Sequence, residues 1–178
     1  GVKLGDRVAT LAWNGYRHME LYYGVPCIGA ICHTLNPRLS AEQMIYITNH
    51  AEDRAMFVDL TFVPLVEALA DKLPKGMAYI IMTDAAHMPE TTLANVHCYE
   101  DLLCAQDDDF EWPDFDENTA AGLCYTSGTT GNPKGALYTH RSQVIHGLLV
   151  GITMQQSMRS GKKVLPVVPL FHANAWGA

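Results

Sequence analysis

Basic residues are scarce in this chain. Only 12 Lys and Arg stand against 19 Asp and Glu, for a formal net charge of -7. Nucleic acids and anionic membrane surfaces call for clustered Lys and Arg, so the balance argues against both. No apolar run reaches the ~18 residues of a transmembrane helix. No signal-like charged and apolar pair of segments opens the chain. Cysteine is sparse and odd in number. Cys27, Cys32, Cys98, Cys104 and Cys124 form no C-x-x-C pair, which argues against a disulfide framework and a zinc site. Reduced thiols in a cytoplasmic protein are the expectation. Two phosphate-binding signatures are also missing. There is no G-x-G-x-x-G dinucleotide fingerprint. There is no G-x-x-x-x-G-K-[ST] loop, because Lys134 follows Pro133 and precedes Gly135.

What is present reads as globular: 48% hydrophobic and 17% charged over 178 residues, enough for one domain with a core. Apolar runs predict strands over 8–13, 28–35, 55–58, 77–82, 120–126, 136–138 and 162–168. Helical spacing predicts helices over 16–23, 40–50, 61–72, 100–105 and 142–155. In the first helix Tyr16, Met19 and Tyr23 share a face, and Gly24 and Pro26 should end or kink it. Ser40 and Gln43 form the S-x-x-Q capping box that starts the second. The third carries Phe62, Leu65, Val66, Leu69 and Leu73 on one face. The last carries Val144, Ile145, Leu148, Leu149 and Ile152. Residues 84–96 read as irregular, and 107–117 as a solvated acidic connector. Strands alternating with helices imply βαβ units. The expected fold class is α/β, a mostly parallel sheet with flanking helices.

The chain is organised around residues 125–135, Tyr-Thr-Ser-Gly-Thr-Thr-Gly-Asn-Pro-Lys-Gly. Thr126, Ser127, Thr129 and Thr130 supply hydroxyls. Gly128, Gly131 and Gly135 supply backbone freedom. Successive amides in such a turn form a concave anion site, and Lys134 adds a positive charge. Hydroxyls, amides and a lysine around one concavity suit a polyphosphate.

This stretch resembles the phosphate loop of the adenylate-forming enzymes: acyl-CoA synthetases, luciferases and adenylation domains. Three more stretches are similar to the large N-terminal domain of the fatty-acyl-CoA synthetases. They are Gly5-Asp6-Arg7-Val8-Ala9, Asn36-Pro37-Arg38-Leu39-Ser40, and Pro169-Leu170-Phe171-His172-Ala173-Asn174-Ala175-Trp176. The last is narrower than the loop and points to medium- and long-chain fatty-acid members.

The resemblance implies an ATP-dependent acid–CoA ligase. It would join a carboxylate to the α-phosphate of ATP as an acyl-adenylate, then transfer the acyl group to coenzyme A. It implies that Thr126, Ser127, Gly128, Thr129, Thr130, Gly131 and Lys134 hold the ATP phosphates. Thr126 would contact Mg²⁺, and Lys134 and His172 would act in catalysis. His172 would sit where the acyl and nucleotide sites meet, and Trp176 would gate the acyl tunnel. ATP, coenzyme A and a fatty acid or similar small carboxylic acid are the implied partners. A homodimeric parent stays open.

Residue 1 is Gly, and Trp176-Gly177-Ala178 ends the chain without capping logic. Residues 1–178 are therefore expected to be a partial N-terminal domain, truncated at both ends, without a C-terminal lid domain. The family's adenine-binding Y-G-x-T-E stretch, ribose-binding Asp and lid lysine are not in this sequence. The chain alone is expected to be inactive. Two alternatives stay open: an adenylation domain or other acid–CoA ligase of the superfamily, and a non-catalytic nucleotide-binding relative.

Overall fold

A computed structural model describes residues 1–126, 132–153, 163 and 168–172. Its strands are β1 (Arg7–Leu11), β2 (Ile31–Thr34), β3 (Ala55–Val58), β4 (Ala78–Ile81), β5 (Val96–Cys98), β6 (Ala120–Thr126) and β7 (Lys134–Thr139). Its helices are α1 (Tyr16–Cys27), α2 (Ala41–Ala51), α3 (Val63–Leu69), α4 (Tyr99–Cys104) and α5 (His140–Thr153). The strands form one seven-stranded sheet in the order β5-β4-β3-β1-β2-β6-β7. Every pairing is parallel except β6 with β7. The expected α/β class and mostly parallel sheet are what the structure shows.

Strand alternation builds two packed faces. On one, Ala9, Leu11, Met56 and Val58 meet Met44 and Ile47 of α2 and Val63 and Val66 of α3. On the other, Val8, Cys32, Ala55 and Ile80 meet Leu21 and Val25 of α1 and Tyr99 of α4. The sheet is thus wound on both sides. Chain direction across it reverses between β1 and β3, the place where open α/β sheets leave a crevice beyond the carboxyl ends of their strands.

Several elements differ from the sequence expectation. Helix α1 does not bury Tyr16, Met19 and Tyr23. Those three are exposed, and His18, Leu21 and Val25 face inward. Burying His18 is possible because both ring nitrogens have partners: Nε2 lies 2.9 Å from Thr10 Oγ1, and Nδ1 lies 3.1 Å from the Trp13 carbonyl. The carbonyl only accepts, so Nδ1 carries the proton. Helix α1 also runs through Pro26 to Cys27. A proline in the last turn loses one ladder bond, and Gly29, at φ +76°, then turns the chain.

Helix α2 carries the expected capping box in full, with Ser40 Oγ accepting from Gln43 N and Gln43 Oε1 accepting from Ser40 N, both at 3.2 Å. The expected helix over 61–72 is a shorter α3 between two 3₁₀ turns. Strand β5 falls partly in a stretch read as irregular. It has only three residues at the sheet edge, too few for a periodic signal. Helix α5 starts at His140 rather than Ser142, because Thr139 caps it: Ser142 N donates to Thr139 Oγ1 at 3.1 Å, and Thr139 N to Ser142 Oγ at 3.0 Å. Residues 107–114 are exposed and have neither helix nor strand. The end of the last helix beyond Thr153 and nearly all of the strand expected over 162–168 lie outside the described residues.

Candidate active site at the carboxyl edge of the sheet

Strand β6 is parallel to β2 and delivers Thr126 to the carboxyl edge of the sheet. Strand β7 returns from that edge, and Lys134 is the Cα partner of Thr126 across the hairpin. Opposed antiparallel residues stand about 4.5–5.5 Å apart at Cα. One hydroxyl and one ammonium therefore stand side by side where β6 ends and β7 begins. Both side chains are exposed, and Lys134 makes no ion pair with a described residue. A cation and a hydroxyl left free at the carboxyl edge of a parallel sheet suit an anionic ligand. Ser127, Gly128, Thr129, Thr130 and Gly131 lie outside the described residues.

Gly135 behaves differently from the expectation of backbone freedom. It is not among the described glycines with positive φ, which are Gly5, Gly29 and Gly76. What it provides is space. A Cβ there would stand 3.1 Å from Leu123 Cδ1 and 3.2 Å from Tyr125 Cζ, so the Tyr125 ring lies over the Gly135 backbone.

His172 comes to the same edge from far along the chain. Its backbone amide donates to the Pro169 carbonyl at 3.0 Å, and its side chain is exposed. The two residues before it, Leu170 and Phe171, are buried. Leu170 N donates to Asn14 Oδ1 at 2.7 Å, and the Tyr22 hydroxyl donates to the Leu170 carbonyl. The Phe171 ring meets Trp13 edge-on at 6.0 Å. Trp13 in turn packs on Phe62 at 5.0 Å and donates from Nε1 to Thr61 Oγ1 at 3.0 Å. Residues 169–172 are thus anchored on the loop after β1. Two strand spacings, about 10 Å, separate the ends of β1 and β6. Trp176 lies outside the described residues.

A small crevice of about 140 Å³ opens where the winding reverses, lined by Trp13, Tyr16, Arg17, His18, Asp59 and Met82. Arg17 beside it is committed to Glu100, with Nε at 2.6 Å from Oε1. Tyr16 donates to the same oxygen at 2.8 Å. These bonds hold the Glu100 carboxyl below its usual range, Tyr16 first and Arg17 second.

Sequence reasoning passed over the residues that hold this edge in place. Asn14 follows the first strand, and its side chain is the catch for Leu170. His33 and Asp53 drew no attention, yet both are fully buried side chains, with His33 Nδ1 2.8 Å from one Asp53 oxygen and 2.9 Å from the other. Carboxylate oxygens accept, so Nδ1 carries the proton. Burial pushes the Asp53 carboxyl up, against the pull of His33 and Arg7. No local pattern marks a pair 20 residues apart. Among the described residues, no group of His, Cys, Asp and Glu could hold a metal ion.

All five cysteines are free. Cys32 is buried, and that burial raises its thiol to about 12. No described helix is long and apolar enough to cross a membrane.

The chain is similar to known proteins along its whole length. The chain is 47% identical over 177 residues to a medium-chain-fatty-acid–CoA ligase of Ectopseudomonas oleovorans, covering 99% of this chain and 32% of that protein. It is 48% identical over 178 residues to a 3-methylmercaptopropionyl-CoA ligase of Ruegeria lacuscaerulensis, covering all of this chain and 33% of that one. The chain thus spans about a third of the length of the curated relatives it matches. Its fold superposes on a long-chain-fatty-acid–CoA ligase of Archaeoglobus fulgidus with a TM-score of 0.83, at 20% identity, covering 99% of this chain and 33% of that one. Residues 1–178 match the AMP-binding enzyme family throughout, and the chain belongs to that family.

Proposed function

We propose that this chain is the partial N-terminal domain, over residues 1–178, of an ATP-dependent acid–CoA ligase. The whole protein joins a carboxylic acid to AMP with release of pyrophosphate, then passes the acyl group to coenzyme A. The observation that carries this reading is the pairing of Thr126 with Lys134 at the carboxyl edge of the sheet, with the His172 segment anchored along that edge.

The difficulty of the first step is electrostatic. An anionic carboxylate must approach an anionic phosphate. Donors fixed in advance around the phosphates lower that barrier. Lys134 and the hydroxyls and amides of 126–131 are those donors. The Thr126 hydroxyl is an exposed hard oxygen, the ligand type Mg²⁺ takes alongside substrate phosphates. When bound, Mg²⁺ neutralises phosphate charge. His172 stands between acid and nucleotide, and Trp176 closes the acyl tunnel. The relatives named for a medium-chain fatty acid and for 3-methylmercaptopropionyl-CoA are matched at nearly equal identity, so the acid is an apolar-tailed carboxylate.

The test is pyrophosphate release by the full-length protein, with acids of graded length, with and without coenzyme A. Lys134→Ala and Thr126→Ala should each lower kcat more than they raise KM for ATP, by ~10²–10³. Unchanged activity in both variants defeats the phosphate-loop reading. Trp176→Ala should weaken the dependence of fatty-acid affinity on a non-hydrolysable ATP analogue, a coupling that is reciprocal. Equal nucleotide dependence in wild type and variant defeats the gate.

A further inference from the structure

Strand β6 outruns its neighbour. The β2–β6 pairing ends at Thr34 with Cys124, while β6 continues through Tyr125 to Thr126 and pairs there only with β7. On the β2 side no strand holds the last two residues before the loop. Side chains hold them instead. The Tyr125 ring lies 5.3 Å from the His33 ring at 48° and meets the His50 ring edge-on at 5.8 Å. Its hydroxyl stands 2.6 Å from His50 Nδ1. His50 stacks on Tyr46 at 5.3 Å and 28°. His33 cannot rotate freely, because Nδ1 is held by both Asp53 oxygens. Asp53 stands two residues past the end of α2, and its amide donates to the Thr48 carbonyl at 3.2 Å.

The opposite side of the ring is closed by Gly135, its Cα partner on β7. Any side chain there meets the Tyr125 ring and Leu123. The ring is therefore wedged: His33 and His50 on one side, the Gly135 backbone on the other. The residues flanking this wedge, Thr126 and Lys134, are the pair where β6 ends and β7 begins. His33 Nε2 is buried with no hydrogen-bond partner among the described residues. Such an atom costs stability, which a core built for packing alone would avoid.

We propose that Tyr125 is a positioning residue for the phosphate loop: its ring, wedged between His33 and Gly135, sets where Thr126 and Lys134 stand. Asp53 acts through His33 in the same chain of contacts. This inference rests on the proposed ATP-dependent activity. Displacing a reacting group by about 1 Å costs up to about 10²-fold in rate, so a wedge that sets a strand end is felt in kcat.

The test is a double-mutant cycle in the full-length protein, read by ATP–pyrophosphate exchange. Tyr125→Ala and Gly135→Ala should each lower the exchange kcat by about tenfold or more. The first loses the wedge and the second pushes it aside. The double variant should be no slower than Tyr125→Ala, because the added methyl then meets only the movable end of the Leu123 side chain. Tyr125→Phe, which keeps the ring, should recover most of the rate lost in Tyr125→Ala. KM for the acid should stay at its wild-type value in every variant, and the unfolding midpoint should stay there in Tyr125→Phe, which keeps the ring in its contacts. Should Tyr125→Ala fail to fold, Tyr125→Leu takes its place in the cycle. Losses that multiply in the double variant overturn the proposal. So does a lowered unfolding midpoint with unchanged exchange, which is the mark of a structural role only. Lys134→Ala measured in parallel separates the two claims. If it loses rate while the cycle is additive, only the wedge fails; if it too is inert, the phosphate-loop reading fails with it.

Discussion

The body of the sheet and its hairpin arm spend their apolar residues in opposite ways. From β1 to β4 the strands are covered on both faces, and Leu11, Met44, Ile47, Met56 and Ile81 are at most 1% exposed. On β7 and α5 the apolar residues face out: Leu137 is 59% exposed, Leu148 64% and Ile152 68%. The face of the last helix expected from the sequence stands exposed at Val144, Ile145, Leu148 and Ile152. The body is therefore a scaffold whose residues answer to packing. The arm holds Thr126 and Lys134, and its apolar face is surface of the kind that drives association.

Four measurements would break or sharpen that contrast. The largest expected effect is in the body. Ile47→Ala should lower the unfolding free energy by ~2–5 kcal/mol in a denaturant titration, because a cavity opens beneath α2. A loss as small as a surface change would mean the body is not the scaffold. Next, Lys134→Ala should leave that free energy within ~0.5 kcal/mol while removing most of the full-length protein's activity. A matching loss of stability would tie the arm to the body energetically.

The third is a pH effect in the body. Burial holds the His18 ring below its ordinary value of 6.5. The unfolded chain takes up a proton near that value and the folded chain does so only lower. The stabilising difference is thus present above 6.5 and lost as pH falls toward the folded value. Unfolding free energy should decline from about pH 7 to about pH 5, and His18→Gln should flatten that decline. An unchanged slope in the variant would remove His18 as its source. The smallest expected effect is on α5. Leu148→Gln with Ile152→Gln should change stability by no more than ~0.5 kcal/mol yet reduce self-association of the chain in sedimentation. Unchanged association would show that the exposed face is inert.

Much of the body was legible because its signals are local. Ser40 and Gln43 announce the start of α2 three residues apart, and both capping bonds form. The run over 55–58 is β3 to the residue, and the run over 120–126 is β6. The errors have local causes too. Tyr16, Met19 and Tyr23 have helical spacing, but amphipathic tyrosines can stay wet, and His18 can go in once Thr10 and Trp13 satisfy it. Thr139 and Ser142 cap α5 with a hydroxyl where a Glu or Gln is the usual signal.

By itself the sequence determined the α/β class and the likeness of 125–135 to a phosphate loop. Strand and helix periods, caps and loop motifs are written in residues a few positions apart, and local backbone energetics reads them. Only the tertiary structure decided that Asn14 catches Leu170, and that Asp53 steers His33 against Tyr125. It alone decided that Gly135 is small to admit a ring rather than to bend a chain. Those partners are joined by strand order and sheet register, and distance along the chain carries no trace of either.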